Sequence, residues 1–423
     1  MKILIITHYF PPKNSIASLR PYSWSKYWTL AGHEVTVLTT QKGKTDVDLN
    51  LPNQGFEVME IPSKVSRVIN RKKNTKTKTN VGIKSYLKRK ISQYSTQSGA
   101  LLNDTNYPNI YMFWKRPAIE AVMKSGKYYD VAVATHAPFV TFMIASELKK
   151  RGIINKIVFD FRDLWIDNHL YTGIPLFSSY EKKLEKRLCD LADKITVVSD
   201  GLANVLQVKF GKQKVHTISN GFDLDDLSVL SKEHYFNNDK INIVYTGAIY
   251  VGHRDPIPLF KAIKELREEL YEIEKLNVCF AGLKSYPIFD EIIEDYGVGD
   301  VIHFCDRLPR EDALKMQRDA DILIFLEDNL AETDGILTGK LFEYMFSGTP
   351  IWTIGRKWQP SRMIEEYNLG RSFGDDVKMI KDALINLLQG EIPNKNNMHN
   401  ILEIEKYTRK YQADCMMEII KTL

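Results

Sequence analysis

Lys2-Ile3-Leu4-Ile5-Ile6-Thr7-His8-Tyr9-Phe10-Pro11-Pro12 opens the chain, and Ala31-Gly32-His33-Glu34-Val35-Thr36-Val37-Leu38-Thr39 follows one helix-length later. Both hold continuous apolar runs of strand length rather than an alternation, the mark of strands buried on both faces. Ala17 to Leu30 reads as a helix between them, with Gly32 placed to stop it. Strand, loop, helix and strand make a βαβ unit, so the sheet is parallel and covered by helices on both sides. The rhythm continues with strands expected over 131–135, 156–161 and 194–199 and helices over 139–151 and 180–192. It pauses at the turn Asn220-Gly221-Phe222-Asp223. Strands at 241–246, 277–281, 301–305, 322–326 and 350–354 then resume it, with helices at 257–270 and 338–347, the latter stopped by Gly348. Helical stretches at 378–388 and 402–422 close the chain, and no internal repeat is present. The expected fold class is α/β, two tandem Rossmann-like doubly wound domains over 1–218 and 219–400, with a C-terminal helix, 401–423, packing back on the first. Ligands bind such sheets at the carboxyl ends of the strands, which puts the expected site in an interdomain cleft.

Composition narrows the class. The chain has 423 residues, 44% hydrophobic and 26% charged, with a net charge of +5. That is a globular composition with room for two or three domains, and it excludes wholesale disorder. Cys189, Cys279, Cys305 and Cys415 are scattered and form no CxxC, against a disulfide framework and for a reducing compartment. No apolar run approaches the ~18–20 residues of a membrane span, and residues 2–7 are too short for a signal-peptide core. A cytoplasmic location is expected. The positive charge is local: Lys64 to Lys90 holds eleven Lys and Arg and no Asp or Glu, leaving the remainder of the chain at −6. This basic insertion, about 62–106, has three readings. Lys73-Asn74-Thr75-Lys76-Thr77-Lys78-Thr79-Asn80 suits a solvated insertion. Val81 to Tyr94 can form an amphipathic helix with Ile83, Tyr86, Leu87 and Ile91 on one side, docking to an anionic membrane surface at the inner face. Nucleic acid is the third reading, but no recognised module accompanies the charge.

The first βα turn, His8 to Ser15, contains no glycine, against a dinucleotide enzyme. GxxxxGK[ST] and HExxH are absent. Asp46/Asp48 and Asp223/Asp225 have a spacing able to hold a divalent metal, although the second pair can equally cap the short helix that follows it. The richest segment is Asp334-Gly335-Ile336-Leu337-Thr338-Gly339-Lys340-Leu341-Phe342-Glu343-Tyr344-Met345-Phe346-Ser347-Gly348-Thr349-Pro350. A glycine loop running into a helix N-terminus presents free N–H groups to a phosphate, Lys340 adds a charge, and Glu343 is an acceptor suited to paired sugar hydroxyls. The competing reading is a core helix with Leu341, Tyr344 and Met345 buried and Lys340 and Glu343 exposed.

The ordered set of segments 2–12, 31–39, Asp160-Phe161-Arg162-Asp163-Leu164-Trp165, 192–199, Ile218-Ser219-Asn220-Gly221-Phe222-Asp223, Tyr245-Thr246-Gly247 and 334–350 resembles the GT-B fold retaining glycosyltransferases of family GT4, nearly end to end apart from the basic insertion. The resemblance implies a nucleotide-diphosphate sugar donor on the second domain, a glycan or lipid-linked acceptor on the first, retention of configuration and no required metal or cofactor. In the family's Glu-x7-Glu, the second Glu falls at Glu343, on the ribose, while the first falls at Gly335, so that donor-sugar contact is either missing or supplied by Asp334 or by backbone. The usual Gly-Arg falls at Gly247-Ala248, so the Arg is missing, and Arg254, with His253, stands nearest to the expected Lys. The donor set is therefore Gly247, Arg254, Arg307, Gly335, Leu337, Thr338, Lys340 and Glu343. His136, Arg254 and Lys340 are the implied catalytic residues, with His136 orienting the donor sugar. Tyr9, Lys13, Asn14 and Ser15, with Phe10 and Ser18, are expected to meet the acceptor from a neutral loop. Two alternatives stay open: a sugar-nucleotide epimerase using Asp160, Asp163 or Asp334 as acid and base, and a non-catalytic glycan- or lipid-binding subunit.

Overall fold

Apolar runs with no polar face need cover on two sides, and the chain supplies it with a helix after nearly every strand. The computed structural model describes residues 1–42, 49–62, 106–168, 177–228, 230–249, 254–282, 287–328, 335, 337–395 and 403–423. They divide into two units, Met1–Ser219 with Ala413–Leu423, and Asn220–Gln412. The basic segment 64–90, Asp46, Asp48, His253 and Asp334 lie outside the described residues.

The first unit carries β1 (Lys2–Ile6), β2 (Glu34–Thr40), β3 (Glu57–Ile61), β4 (Tyr129–His136), β5 (Ile154–Phe161), β6 (Lys194–Val197) and β7 (Val215–Thr217). They pair in parallel in the order β3-β2-β1-β4-β5-β6-β7. Helices α1 (Ile16–Leu30), α2 (Lys115–Lys124), α3 (Val140–Lys150), α4 (Ser178–Leu191) and α5 (Asp200–Phe210) flank them. Ile3, Leu4, Ile5 and Ile6 are all fully buried, which is why the run does not alternate. The strand order reverses between β1 and β4, the switch point where such sheets open a crevice.

The second unit carries β8 (Ile241–Thr246), β9 (Leu276–Ala281), β10 (Ile302–Cys305), β11 (Ile322–Leu326), β12 (Ile351–Ile354) and β13 (Gly370–Gly374), in the order β10-β9-β8-β11-β12-β13. Its longer described helices are α6 (Ile257–Glu268), α7 (Pro287–Tyr296), α8 (Arg310–Asp319), α9 (Gly339–Ser347), α10 (Gln359–Glu366) and α11 (Val377–Leu388), and a single turn, Asp225–Ser228, precedes them. Successive strand residues feed opposite cores. Ile322, Ile324 and Leu326 pack with Phe260, Ile263 and Leu384, whereas Leu323 and Phe325 pack with Leu341, Tyr344 and Met345. The last helix, α12 (Arg409–Lys421), starts only after Thr408, whose extended backbone interrupts the stretch expected to be helical from 402. Its Ala413, Met416, Met417 and Ile420 join the core of Ile3, Trp24 and Trp28, and the Trp28 indole donates to the Ala413 carbonyl at 3.0 Å.

A buried ion pair ties the first unit together. Arg20 on α1 donates from Nε and Nη2 to the two oxygens of Asp160 at 3.1 and 2.7 Å. Thr135 and Thr196 donate to the same carboxylate at 2.9 and 2.8 Å. Two further Arg20 N–H groups reach the carbonyls of Ile218 and Ser219 at 2.8 and 2.7 Å.

Candidate active site

The second unit's crevice lies between β8 and β11. β8 ends at Thr246, and Gly247 follows with φ +122°, its N–H donating to the Ala281 carbonyl at 2.6 Å. A Cβ on Gly247 would stand 2.8 Å from the Lys340 ammonium, so glycine here both permits the backbone and leaves room for the amine. Lys340, the second residue of α9, is half-buried with Nζ 3.6 Å from the centroid of the Tyr245 ring. Burial and the nearby Arg254 push its pKa well below the usual lysine value, against the weaker pull of Glu343. Among the described residues no carboxylate lies within ion-pair distance of it. Thr338 precedes α9 in an extended conformation and makes no side-chain cap, so the first N–H groups of the helix are not taken by that hydroxyl. Gly335 is buried at φ +90°, and the Leu337 side chain is buried, leaving backbone as what Leu337 offers a ligand. Arg307 is exposed between β10 and α8.

Glu343, one turn along α9, is not the exposed residue of the core-helix reading; it is 9% exposed. Arg310 Nη1 donates to its Oε1 at 2.6 Å, and Arg310 Nη2 donates to Asp226 Oδ2 at 2.6 Å. Arg409 stands 3.5 Å from the same Asp226 oxygen. Burial disfavours the Arg310 charge, but Glu343 and Asp226 outweigh it and hold its pKa above the ordinary value. The hydroxyl of the next residue, Tyr344, accepts the Thr246 N–H at 2.8 Å and so fixes the helix to the end of β8. Asp223 accepts the Asp225 N–H at 3.2 Å, the capping role. Among the described residues no group of three His, Cys, Asp or Glu is arranged to hold a metal ion.

The first unit's loop after β1 is more cationic than its own sequence. Tyr9 is flanked by Lys13 Nζ at 4.8 Å and the Arg162 guanidinium at 5.0 Å from the ring centroid. His8 is buried; burial, then Lys42, Lys13 and Arg162, lower its pKa well below the usual histidine value. Ser15 caps α1, accepting the Ala17 N–H at 3.2 Å. Three expectations are corrected here. Phe10 is a core residue, packed on Tyr22 and Phe56, and Ser18 is fully buried, so neither faces an acceptor. His136 is also fully buried, its ring among Phe142, Phe161 and Trp165, and burial together with Arg162 lowers its pKa to about 3. The ring is neutral and closed off, while the His136 carbonyl accepts from Arg162 Nε at 2.7 Å.

Residues 21–226 match the family model described as Glycosyltransferase Family 4. Over those residues, just under half of the chain, the sequence is similar to the family 4 glycosyltransferases. Sucrose-phosphate synthase from Thermosynechococcus elongatus has the same fold, with a TM-score of 0.61 at 14% identity over 100% of this chain and 98% of that one. Anabaena HepE in complex with UDP-glucose gives 0.61 at 14% identity, covering 100% of both chains. The UDP-GlcNAc 2-epimerase of Methanocaldococcus jannaschii gives 0.55 at 13%, again over 100% of both. No curated protein sequence matches the chain. The epimerase role suggested for Asp160 fails on chemistry, since the carboxylate is fully buried and bound by Arg20 and two threonines. Lys340 stands against Gly247 and near Arg254, while Arg310, Arg162 and Lys42 were not legible, because each is brought to its site by tertiary contacts between distant segments.

Proposed function

We propose that this glycosyltransferase moves a sugar from a nucleotide-diphosphate donor, with retention of configuration, to a glycan or lipid-linked acceptor in surface polysaccharide or glycoconjugate biosynthesis. The observation that carries the reading is the Lys340 ammonium, seated on the Tyr245 ring and against Gly247 with no carboxylate partner among the described residues. A cation lacking its counter-ion suits a ligand that brings negative charge. In this reading the diphosphate meets Lys340, Arg254 and the N–H groups near Leu337 and Thr338, with Gly247 and Gly335 giving backbone approach and Arg307 a further charge at the rim. Glu343 accepts from the ribose hydroxyls. The UDP-glucose bound by Anabaena HepE supports a UDP-sugar as the first donor to test.

As the glycosidic bond breaks, positive charge grows on the sugar and negative charge on the departing diphosphate. Lys340, Arg254 and the start of α9 stabilise that leaving group where its charge develops. No enzymatic nucleophile is assigned; the acceptor attacks on the face the diphosphate leaves. Tyr9, Lys13, Asn14 and Ser15 meet the acceptor, and the cations gathered near His8 suit the phosphate of a lipid-linked one. No helix of the described residues is long and apolar enough to cross a membrane. Association with the inner face is proposed to be peripheral, through the 64–90 charges, each worth about 1 kcal/mol at an anionic surface.

The test is a transfer assay with UDP-, GDP- and dTDP-sugars, followed by NMR of the product anomer and titration of nucleotide binding. Glu343→Ala and Arg254→Ala are each expected to weaken donor binding about tenfold or more, from ~1.5–3 kcal/mol per charge-assisted bond. An inverted product, or unchanged affinity in both variants, overturns the reading.

A further inference from the structure

We infer that Arg310 is the positioning residue of the ribose-binding carboxylate, holding one oxygen of Glu343 so that the other is presented to the donor ribose and Lys340 is left to the diphosphate. The inference rests on the donor reading above. Lys340 and Glu343 are three residues apart on α9, a spacing at which opposite charges on a helix ordinarily pair. Among the described residues they form no ion pair. Glu343 turns instead to Arg310 at the first position of α8, at 2.6 Å, and the same guanidinium grips Asp226 at 2.6 Å.

The result is an alternating row, Glu343, Arg310, Asp226, Arg409, whose charges cancel. The side chains of Arg310, Glu343 and Asp226 are 14%, 11% and 15% exposed, so water does little to screen or replace these bonds. Arg310 Nε is buried and has no hydrogen-bond partner, so the guanidinium is held by its two terminal nitrogens alone, each committed to a different carboxylate. An arginine so compensated is not a phosphate ligand. What it does is fix the Glu343 rotamer through a planar fork that lysine cannot reproduce. It also withdraws that carboxylate from Lys340. Without Arg310, Glu343 would fall back on Lys340, and both the hydroxyl acceptor and the phosphate cation would be lost together.

The test is calorimetric binding of UDP, GDP and ADP to the full chain, then of the tightest of them against its 2′-deoxy counterpart and against inorganic pyrophosphate. The wild type should prefer the ribonucleotide over the deoxynucleotide about tenfold or more. Arg310→Met should reduce that preference to within about threefold and weaken pyrophosphate binding as well, because Glu343 then neutralises Lys340. Asp226→Asn, which leaves Arg310 in place but removes its second anchor, should fall between the two. Should Arg310→Met not fold, as judged by circular dichroism, Arg310→Lys decides: a preference reduced at least threefold supports the inference, and a full preference overturns it. If Glu343→Ala leaves both affinity and preference unchanged, the donor reading itself is wrong and the inference falls with it. If Glu343→Ala abolishes the preference and folded Arg310→Met keeps it, the donor reading stands and Arg310 is not its positioning residue.

Discussion

Replacing Lys340 by Met should raise the melting temperature of the ligand-free protein while weakening nucleotide binding, and the sign of both effects follows from one environment. In the folded chain, burial and Arg254 push the Lys340 pKa well below its ordinary value, with Glu343 opposing. In the unfolded chain the lysine titrates near ~10.4. Between those two values the unfolded state holds more protons than the folded one, so stability rises with pH across that window. Below the window the charged amine is a destabilising group, and methionine, of similar length and without charge, removes the cost. A diphosphate placed against the amine reverses the balance by favouring the charged form, so its binding takes up as much as about one proton per nucleotide inside the same window. The contact itself is worth ~1.5–3 kcal/mol, about 10–150-fold in Kd. Calorimetry of UDP or GDP, whichever binds more tightly, over a pH series below ~10.4 in two buffers of different ionisation enthalpy reads the proton directly. Wild-type enzyme should show uptake that Lys340→Met lacks, and the variant should bind about 10–150-fold more weakly. Equal uptake in the two proteins, or a lower melting temperature in Lys340→Met, would refute the electrostatic account of the seat.

Three further outcomes are expected. Asp160→Asn leaves Arg20 buried beside a neutral partner and should cost ~3–5 kcal/mol, a fall of roughly 6–20 °C in Tm for a unit of this size, read by scanning calorimetry; a fall under about 2 °C would contradict a buried, fully bonded pair. Gly247→Ala puts a methyl group 2.8 Å from the Lys340 ammonium on backbone at φ +122°, so nucleotide Kd should rise about tenfold or more with circular dichroism unchanged; an unaltered Kd would show that the amine is not used. Cys279 and Cys305 face each other across β9 and β10 with their sulfurs 3.0 Å apart. The bond from Cys279 lowers the Cys305 pKa to about 7, while that pairing and burial push Cys279 up, so iodoacetamide at pH 8 should label Cys305 first; peptide mapping that finds Cys279 labelled as fast would count against it.

The doubly wound sheets were legible because both faces of each strand are buried. Runs such as Ile3 to Ile6 and Ile322 to Leu326 carry that constraint in their own composition. β13 was not, since Gly370-Arg371-Ser372-Phe373-Gly374 is an edge strand with two exposed residues and glycine at each end. β7 is only three residues long and was missed for the same want of pattern. At the site the dividing line is again between local and long-range causes. The Gly335–Lys340 turn and the α9 spacing are written in one segment, so Lys340 and Glu343 could be nominated from it. Their separate fates could not. On an isolated helix the two charges would satisfy each other, and neither would be available to a ligand. What divides them is Arg310, 33 residues earlier in the chain and on another helix, anchored in turn by Asp226 from 84 residues before Arg310. His136 shows the converse. Its strand-end position is local and legible, but the aromatic wall of Phe142, Phe161 and Trp165 that closes over it is assembled from α3, the end of β5 and the loop after β5. Local sequence thus nominates the charged groups of this site, and tertiary pairing decides which of them keeps a free valence for the substrate.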